Sequence, residues 1–300
     1  MSPTDTSRNP WDGLLLVDKP RGPTSQDLVS RARRLFQVKV GHTGTLDPLA
    51  GGLLPLLLGQ ATRLSRFYLR CDKEYLATVR LGETRSTFDG EGAVLERRLI
   101  PEITADRAEK VLERYRGEIL QRPPMFSAVK IGGERLYKAA RRDEDVERPL
   151  RKVAIHELEL LERTFERWNL RIRCSSGTYI RTLAHEIGVY LGCGAYLEEL
   201  RRTSVGDLHL DLALPLEKVR TEPHAAFLPL NELLPEFPAL HMTSEESQRV
   251  LHGNPIPNRE HLSGECCRLF SQDELVAIGR PTADGRLLQS MIVLSAGPDA

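Results

Sequence analysis

The chain has 300 residues, 40% of them hydrophobic and 28% charged, which excludes a wholly disordered protein. Formal net charge is zero, but residues 221–300 hold eleven acidic against five basic side chains, so the arginine-rich remainder carries the matching basic excess. No stretch approaches the roughly 18 apolar residues of a membrane-spanning helix, the first twelve residues hold no secretory apolar run, and five cysteines without Cys-x-x-Cys spacing predict reduced thiols in a cytoplasmic protein.

Gly13 to Asp18 reads as a strand. Thr24 is placed to cap a helix running to about Phe36, with Leu28, Ala32 and Leu35 on one face. Gly41 to Pro48 is a loop rich in turn formers. The apolar run Gly51 to Leu58 predicts a buried strand, with a short helix after it near 60–67. In Lys73 to Leu81, the side chains of Tyr75, Ala77, Val79 and Leu81 alternate onto one face. Thr104 caps a helix to about Tyr115. Val153 to Thr164 and Trp168 to Cys174 read as paired strands, Thr178 opens a helix to about Leu191, and Ala195 to Thr203 is a further strand. The Pro-rich stretch 215–238 breaks periodicity and marks a boundary. Beyond it come a helix near 243–251 and short strands near 267–270, 274–278 and 286–294. Helices and strands mix without regular βαβ alternation. That predicts an α+β fold on a mixed, mostly antiparallel sheet with flanking helices, domain boundaries at 1–233 and 234–300, and a small C-terminal unit.

One loop stands out. Gly41-His42-Thr43-Gly44-Thr45-Leu46-Asp47-Pro48-Leu49-Ala50-Gly51-Gly52 carries four glycines in twelve residues. It lacks the Gly-Lys-Ser/Thr of a phosphate-binding loop. Read alone, Asp47-Pro48 is a turn starter. The eight histidines show no metal-ligand spacing, and no dinucleotide fingerprint follows a strand.

This loop resembles the signature of the TruB family of pseudouridine synthases, which make pseudouridine-55 in tRNA. Other segments resemble that family in its order: Leu16-Val17-Asp18-Lys19-Pro20 with Gly22 and Thr24-Ser25; Asp72-Lys73-Glu74-Tyr75; Pro123 to Lys130 with Gly133, Leu136-Tyr137 and Ala140-Arg141; Cys174 to Leu183; and Leu200 to Gly206. The resemblance spans about residues 13–208. It implies catalysis by Asp47, with Arg181 paired to it and Tyr75 stacking on the target uracil. It implies substrate binding by Leu200 as a pocket wall, His42 filling the space left by the flipped base, and Tyr179, Lys130, Arg141 and Arg202. It places a T-arm-binding insertion at about 122–152 and a PUA-like unit at 234–300, and treats Lys19 and Pro20 as structural. The partner implied is tRNA, with no obligatory protein partner.

The chemistry is consistent with that assignment. Turning uridine into pseudouridine breaks the N1–C1′ bond and joins C5 to C1′, conserving atoms and oxidation state, so no cofactor or metal is expected. A carboxylate is required, either to attack C1′ or to take the C2′ proton. Two other readings stand beside this one. A non-catalytic RNA-folding protein could use the same scaffold. A nucleoside glycosidase would use two carboxylates, and the sequence offers one strong candidate.

Overall fold

The computed structural model describes residues 9–125, 130, 131, 134, 135, 142 and 146–294. Its strands are β1 (Gly13–Lys19), β2 (Val40–His42), β3 (Ala50–Leu58), β4 (Lys73–Leu81), β5 (Glu83–Arg85), β6 (Val94–Arg97), β7 (Gly117–Gln121), β8 (Lys130–Ile131), β9 (Glu134–Arg135), β10 (Arg151–Arg163), β11 (Arg167–Cys174), β12 (Ala195–Val205), β13 (Leu208–His209), β14 (Leu214–Pro215) and β15 (Phe227–Pro229). Eleven of these form one sheet, ordered β14-β1-β3-β12-β4-β11-β10-β7, with β2 on β3, β13 on β12 and β15 on β1. Within it β1 runs parallel to β14 and β3 parallel to β12, and the remaining pairs are antiparallel. The expected mixed, mostly antiparallel α+β class is the observed one.

Strand β3 shows why this sheet has a dry centre. It is hydrogen-bonded on both edges, by β1 and β12, and every one of its residues is buried. A continuous Leu-rich run suits such a position, where no face needs to meet water. Gly52 makes the β3–β12 contact feasible: a Cβ there would lie 2.3 Å from the Arg202 carbonyl oxygen, and its φ of +98° disfavours other residues.

The helices are α1 (Ser25–Phe36), α2 (Ser65–Arg70), α3 (Ala105–Glu113), α4 (Ile180–Leu191), α5 (Leu216–Val219) and α6 (Ser244–Leu251). Thr24 caps α1 in a reciprocal box with Asp27. The buried stripe of α1 is Leu28, Val29, Ala32 and Phe36. Leu35, expected on that stripe, is 39% exposed. Spacing of four residues carries the stripe from Leu28 through Ala32 to Phe36 and leaves Leu35 at its edge.

A second sheet follows, built from β16 (Ala239–Met242), β17 (Ile256–Pro257), β18 (Cys267–Ser271), β19 (Glu274–Pro281) and β20 (Leu287–Val293), ordered β16-β18-β19-β20-β17. This is the small C-terminal unit expected from the sequence. Its two faces serve different cores. Leu240, Met242, Cys267, Leu269, Val276, Ala277 and Leu288 pack with Val250 of α6 in a core of their own. Cys266, Phe270, Leu275, Ile278, Ile292 and Leu294 join the core of the large sheet. The adjacent cysteines therefore point to opposite cores, as strand alternation requires. Phe270 covers the body, whereas Leu269 and Leu262 pack inside the small unit.

Ending the chain after Leu234 should therefore bare an apolar face on the body. The truncated protein is expected to unfold at lower temperature and to aggregate more than the full chain. Thermal unfolding and light scattering would check this; a truncation as soluble and stable as the full chain would show that these contacts contribute little.

Candidate active site

Asp47 lies on the turn between β2 and β3. The turn's backbone is held from several sides. The Lys19 ammonium, fully buried, donates to the carbonyls of Ala50 at 2.6 Å, Pro20 at 3.1 Å, Asp47 at 3.2 Å and Pro48 at 3.5 Å. Burial pulls the Lys19 pKa down to about 8, opposed by the nearby Asp47 carboxylate, so the ammonium remains the main form at neutral pH. Ser25 Oγ donates to the Leu46 carbonyl at 2.9 Å and accepts from its amide at 2.8 Å. Arg202 donates to the carbonyls of Leu53 at 2.8 Å and Gly44 at 3.1 Å. Side chains thus satisfy the turn's carbonyls, which leaves the Asp47 carboxylate, 37% exposed, as the group that faces outward.

Arg181 meets it from the first turn of α4. The N-terminus of α4 is anchored by Gln121, whose amide donates to the Tyr179 carbonyl at 3.0 Å and accepts the Tyr179 N–H at 2.8 Å. Arg181 Nε lies 3.0 Å from Asp47 Oδ2, and its Nη1 lies 3.3 Å from Asp89 Oδ2. Asp89 is 3% exposed and also accepts from Thr87 Oγ1 and, at 3.1 Å, from the Glu91 amide. At an effective dielectric of ~20, an ion pair at this separation attracts by about 5 kcal/mol before desolvation. Desolvation costs several kcal/mol per ion, so the triad fixes geometry more than it stabilises the fold. For Asp47, burial dominates and raises its pKa above the ordinary 3.8. Arg181 opposes the rise, Asp89 adds to it, and Lys19 opposes it.

The carboxylate opens on a cavity of ≈ 280 Å³. Tyr75, Tyr179, Leu200 and Arg202 line it beside Asp47 and Arg181. The sheet register brings three of these together, because Tyr75 on β4 pairs with Arg202 on β12 and Ala77 with Leu200. Tyr75 is both a member of the main core and a cavity wall. Burial raises its phenol pKa, opposed by Arg202, with which it shares a hydrogen bond, so it stays protonated at neutral pH. Arg202, expected on the substrate side, is 1% exposed and spends its donors on the protein. His42 stands at the end of β2 and is not itself a lining residue, although its bonding partner Gly44 is. Its Nδ1 accepts from the Gly44 amide at 3.3 Å, which places its proton on Nε2. Burial lowers its pKa and Arg202 adds to the effect, so the ring is neutral at pH 7. Lys130 lies in β8, but its side chain and the whole of Arg141 lie outside the described residues.

The structure adds what the sequence did not disclose. The second carboxylate, Asp89, sits in Asp89-Gly90, a dipeptide that reads as a turn. It is enclosed behind Arg181 and does not line the cavity, so it does not supply the water-activating partner of a glycosidase pair. Arg181 lies off the apolar stripe of α4 yet is buried, because its partners are carboxylates rather than the core. Among the described residues, no group of three His, Cys, Asp or Glu side chains could hold a metal ion, and no helix is long and apolar enough to cross a membrane.

Comparison with known proteins accords with this geometry. Residues 33–180 match a family model described as TruB family pseudouridylate synthase (N terminal domain), and residues 181–232 match the tRNA pseudouridylate synthase B C-terminal domain. The tRNA pseudouridine synthase B of Burkholderia pseudomallei is 47% identical over 303 aligned residues, covering 96% of this chain and 99% of its own. The chain belongs to the TruB family. The TruB relative from Azoarcus sp. is 45% identical over 273 residues, covering 89% of this chain and 90% of its own. A solved structure titled as a Cbf5-Nop10-Gar1 complex aligns with a TM-score of 0.72 at 27% identity, over 96% of this chain and 86% of that one. Both family models end before β16, so the two-faced C-terminal sheet lies outside the matched models.

Replacing Arg181 by Met would leave Asp47 and Asp89 without their shared cation. Breaking a buried pair in this way costs about 3–5 kcal/mol, readable by denaturant unfolding. It should also raise the Asp47 pKa further, since the opposing guanidinium is gone. If Asp47 is the catalytic carboxylate that the resemblance implies, its ionised form is the active one, and activity falls as pH drops through that pKa. The acid limb of the wild-type pH–rate profile is therefore expected above 3.8. A limb at or below that value would contradict the desolvated site.

Proposed function

We propose that this chain isomerises uridine-55 in the T-loop of tRNA to pseudouridine. The observation that carries the reading is the Asp47–Arg181 ion pair of 3.0 Å on a cavity walled by Tyr75 and Leu200. A uracil turned out of its stack enters this cavity. Tyr75 offers a ring face for it, and base–aromatic stacking contributes about 1–3 kcal/mol. That is comparable with the few kcal/mol that flipping costs. His42, neutral and near the mouth of the turn, takes the place vacated by the base.

Asp47 then acts on the ribose, by attack at C1′ or by removal of the C2′ proton. Either route uses the ionised carboxylate, which Arg181 maintains against desolvation. Released uracil turns within the cavity so that C5 bonds to C1′, which frees Asp47 from C1′ or is accompanied by return of the proton to C2′, and the C5 proton is lost as N1 gains one. Atoms and electrons balance without a cofactor. The insertion at 122–152, with Lys130 and Arg141, grips the T-arm. Residues 1–233 form the catalytic domain, and 234–300 are a PUA-like domain docked on it. The chain works on tRNA in the cytoplasm. The basic excess before residue 221 supports this, since arginine suits bidentate phosphate contact.

Asp47→Asn is the direct test. It should abolish pseudouridine formation while tRNA affinity stays within about tenfold, equivalent to about 1.4 kcal/mol. Single-turnover assays beside a filter-binding titration measure both. Normal turnover by the variant would remove Asp47 from the mechanism. Tyr75→Leu should bind tRNA like the wild type yet turn over far more slowly, and wild-type turnover there would make Tyr75 a core residue only.

A further inference from the structure

Asp89 reaches Arg181 from a loop with an unusual backbone. Phe88, immediately before it, has φ +62°, a left-handed conformation that bulky side chains rarely adopt. The loop backbone is pinned to β12, with Leu197 N–H donating to the Phe88 carbonyl at 3.0 Å and Gly90 N–H to the Leu197 carbonyl at 3.0 Å. The Phe88 side chain turns to α4. It stacks on the His185 imidazole with ring centroids 3.9 Å apart and planes 10° from parallel. His185 lies four residues after Arg181, on the same side of the helix. The helix therefore holds the loop at two points, with a guanidinium on Asp89 and an imidazole on Phe88.

The His185 ring serves as a flat surface rather than a proton carrier. Its Nδ1 is buried with no hydrogen-bond partner among the described residues. Burial lowers its pKa, so the ring is neutral at pH 7. The stack forms part of the wall of a cleft of ≈ 440 Å³ that also carries Tyr115 and Tyr190. Truncating the imidazole would enlarge an open cleft rather than leave a sealed void.

We infer that the Phe88–His185 stack is a positioning device for the reaction: it fixes the left-handed turn that presents Asp89 to Arg181, and through Arg181 it sets Asp47. This rests on the roles proposed above for Asp47 and Arg181, and wild-type turnover is the control for that reading. The variants are His185→Ala, His185→Phe and Phe88→Gly. Glycine accepts the left-handed backbone at no cost, so Phe88→Gly removes the ring while keeping the turn accessible. His185→Ala and Phe88→Gly should slow single-turnover pseudouridine formation by about a hundredfold, the scale of a displaced active-site group, with tRNA affinity unchanged. His185→Phe keeps a ring and should stay within about twofold of wild type.

The pH–rate profile is the second readout. Asp47 faces Arg181 from α4, Asp89 from the loop and Lys19 from β1. Loosening Asp89 disturbs both its own effect and that of Arg181 on Asp47, with Glu91 of the same loop also facing the group, so the acid limb should shift from its wild-type position in His185→Ala and Phe88→Gly and stay there in His185→Phe. Wild-type rates with only a lower melting temperature would reduce the stack to packing. A His185→Phe variant as slow as His185→Ala would mean that the imidazole nitrogens matter rather than the ring face. Either result overturns the inference while leaving wild-type turnover, and with it the functional reading, intact.

Discussion

A guanidinium cannot shed its proton at any ordinary pH, so the buried Arg181 must meet its charge where it stands. It does so with two carboxylates at once. Much of the surrounding architecture follows from that demand. One carboxylate comes from the turn after β2, the other from the loop after β5, and the cation from the start of α4. Three separate segments of chain converge on one charge. Asp89 is sequestered and Asp47 looks onto open space. The same cation thus pairs with one sequestered acid and one that faces the cavity.

Supporting this triad takes other buried charges whose work is with the backbone. Lys19 satisfies four carbonyls around the Asp47 turn, and Arg202 two more. Lys73 does the same one strand away, donating to the carbonyls of Leu69 at 2.8 Å and Cys71 at 2.5 Å. A turn rich in glycine has little side-chain packing to define it. Fixing its carbonyls with long cationic side chains gives it one shape, as the proposed role of Asp47 would require.

Much of the frame was legible because burial is periodic. The alternation of Tyr75, Ala77, Val79 and Leu81 marked β4 at its true ends, and the Leu-rich apolar run marked β3. Thr24 and Thr104 announced their helices. Short strands such as β14 and β15 escaped notice. Two or three residues cannot show a period, and their pairing with β1 is supplied by distant chain. The site was legible to the extent that Asp47, Tyr75 and Arg181 sit within recognisable motifs. Asp89 was not, since its role depends on a tertiary partner and its neighbours suggest a plain turn. Arg202 lines the cavity as well, and only the structure shows that its donors are committed to the carbonyls of Leu53 and Gly44.

The position of β1 has a consequence for how the chain is made. On one edge β1 pairs with β3, a few dozen residues on. On the other it pairs with Leu214 and with Phe227 to Pro229. At a ribosomal pace of about 5–20 residues per second, roughly 200 residues between partners means about 10–40 s during which that edge stands open. An unpaired apolar edge is a template for association with other chains. The emerging polypeptide is thus most exposed to wrong pairing, or to capture by a chaperone, until the segment around residue 229 has left the ribosome.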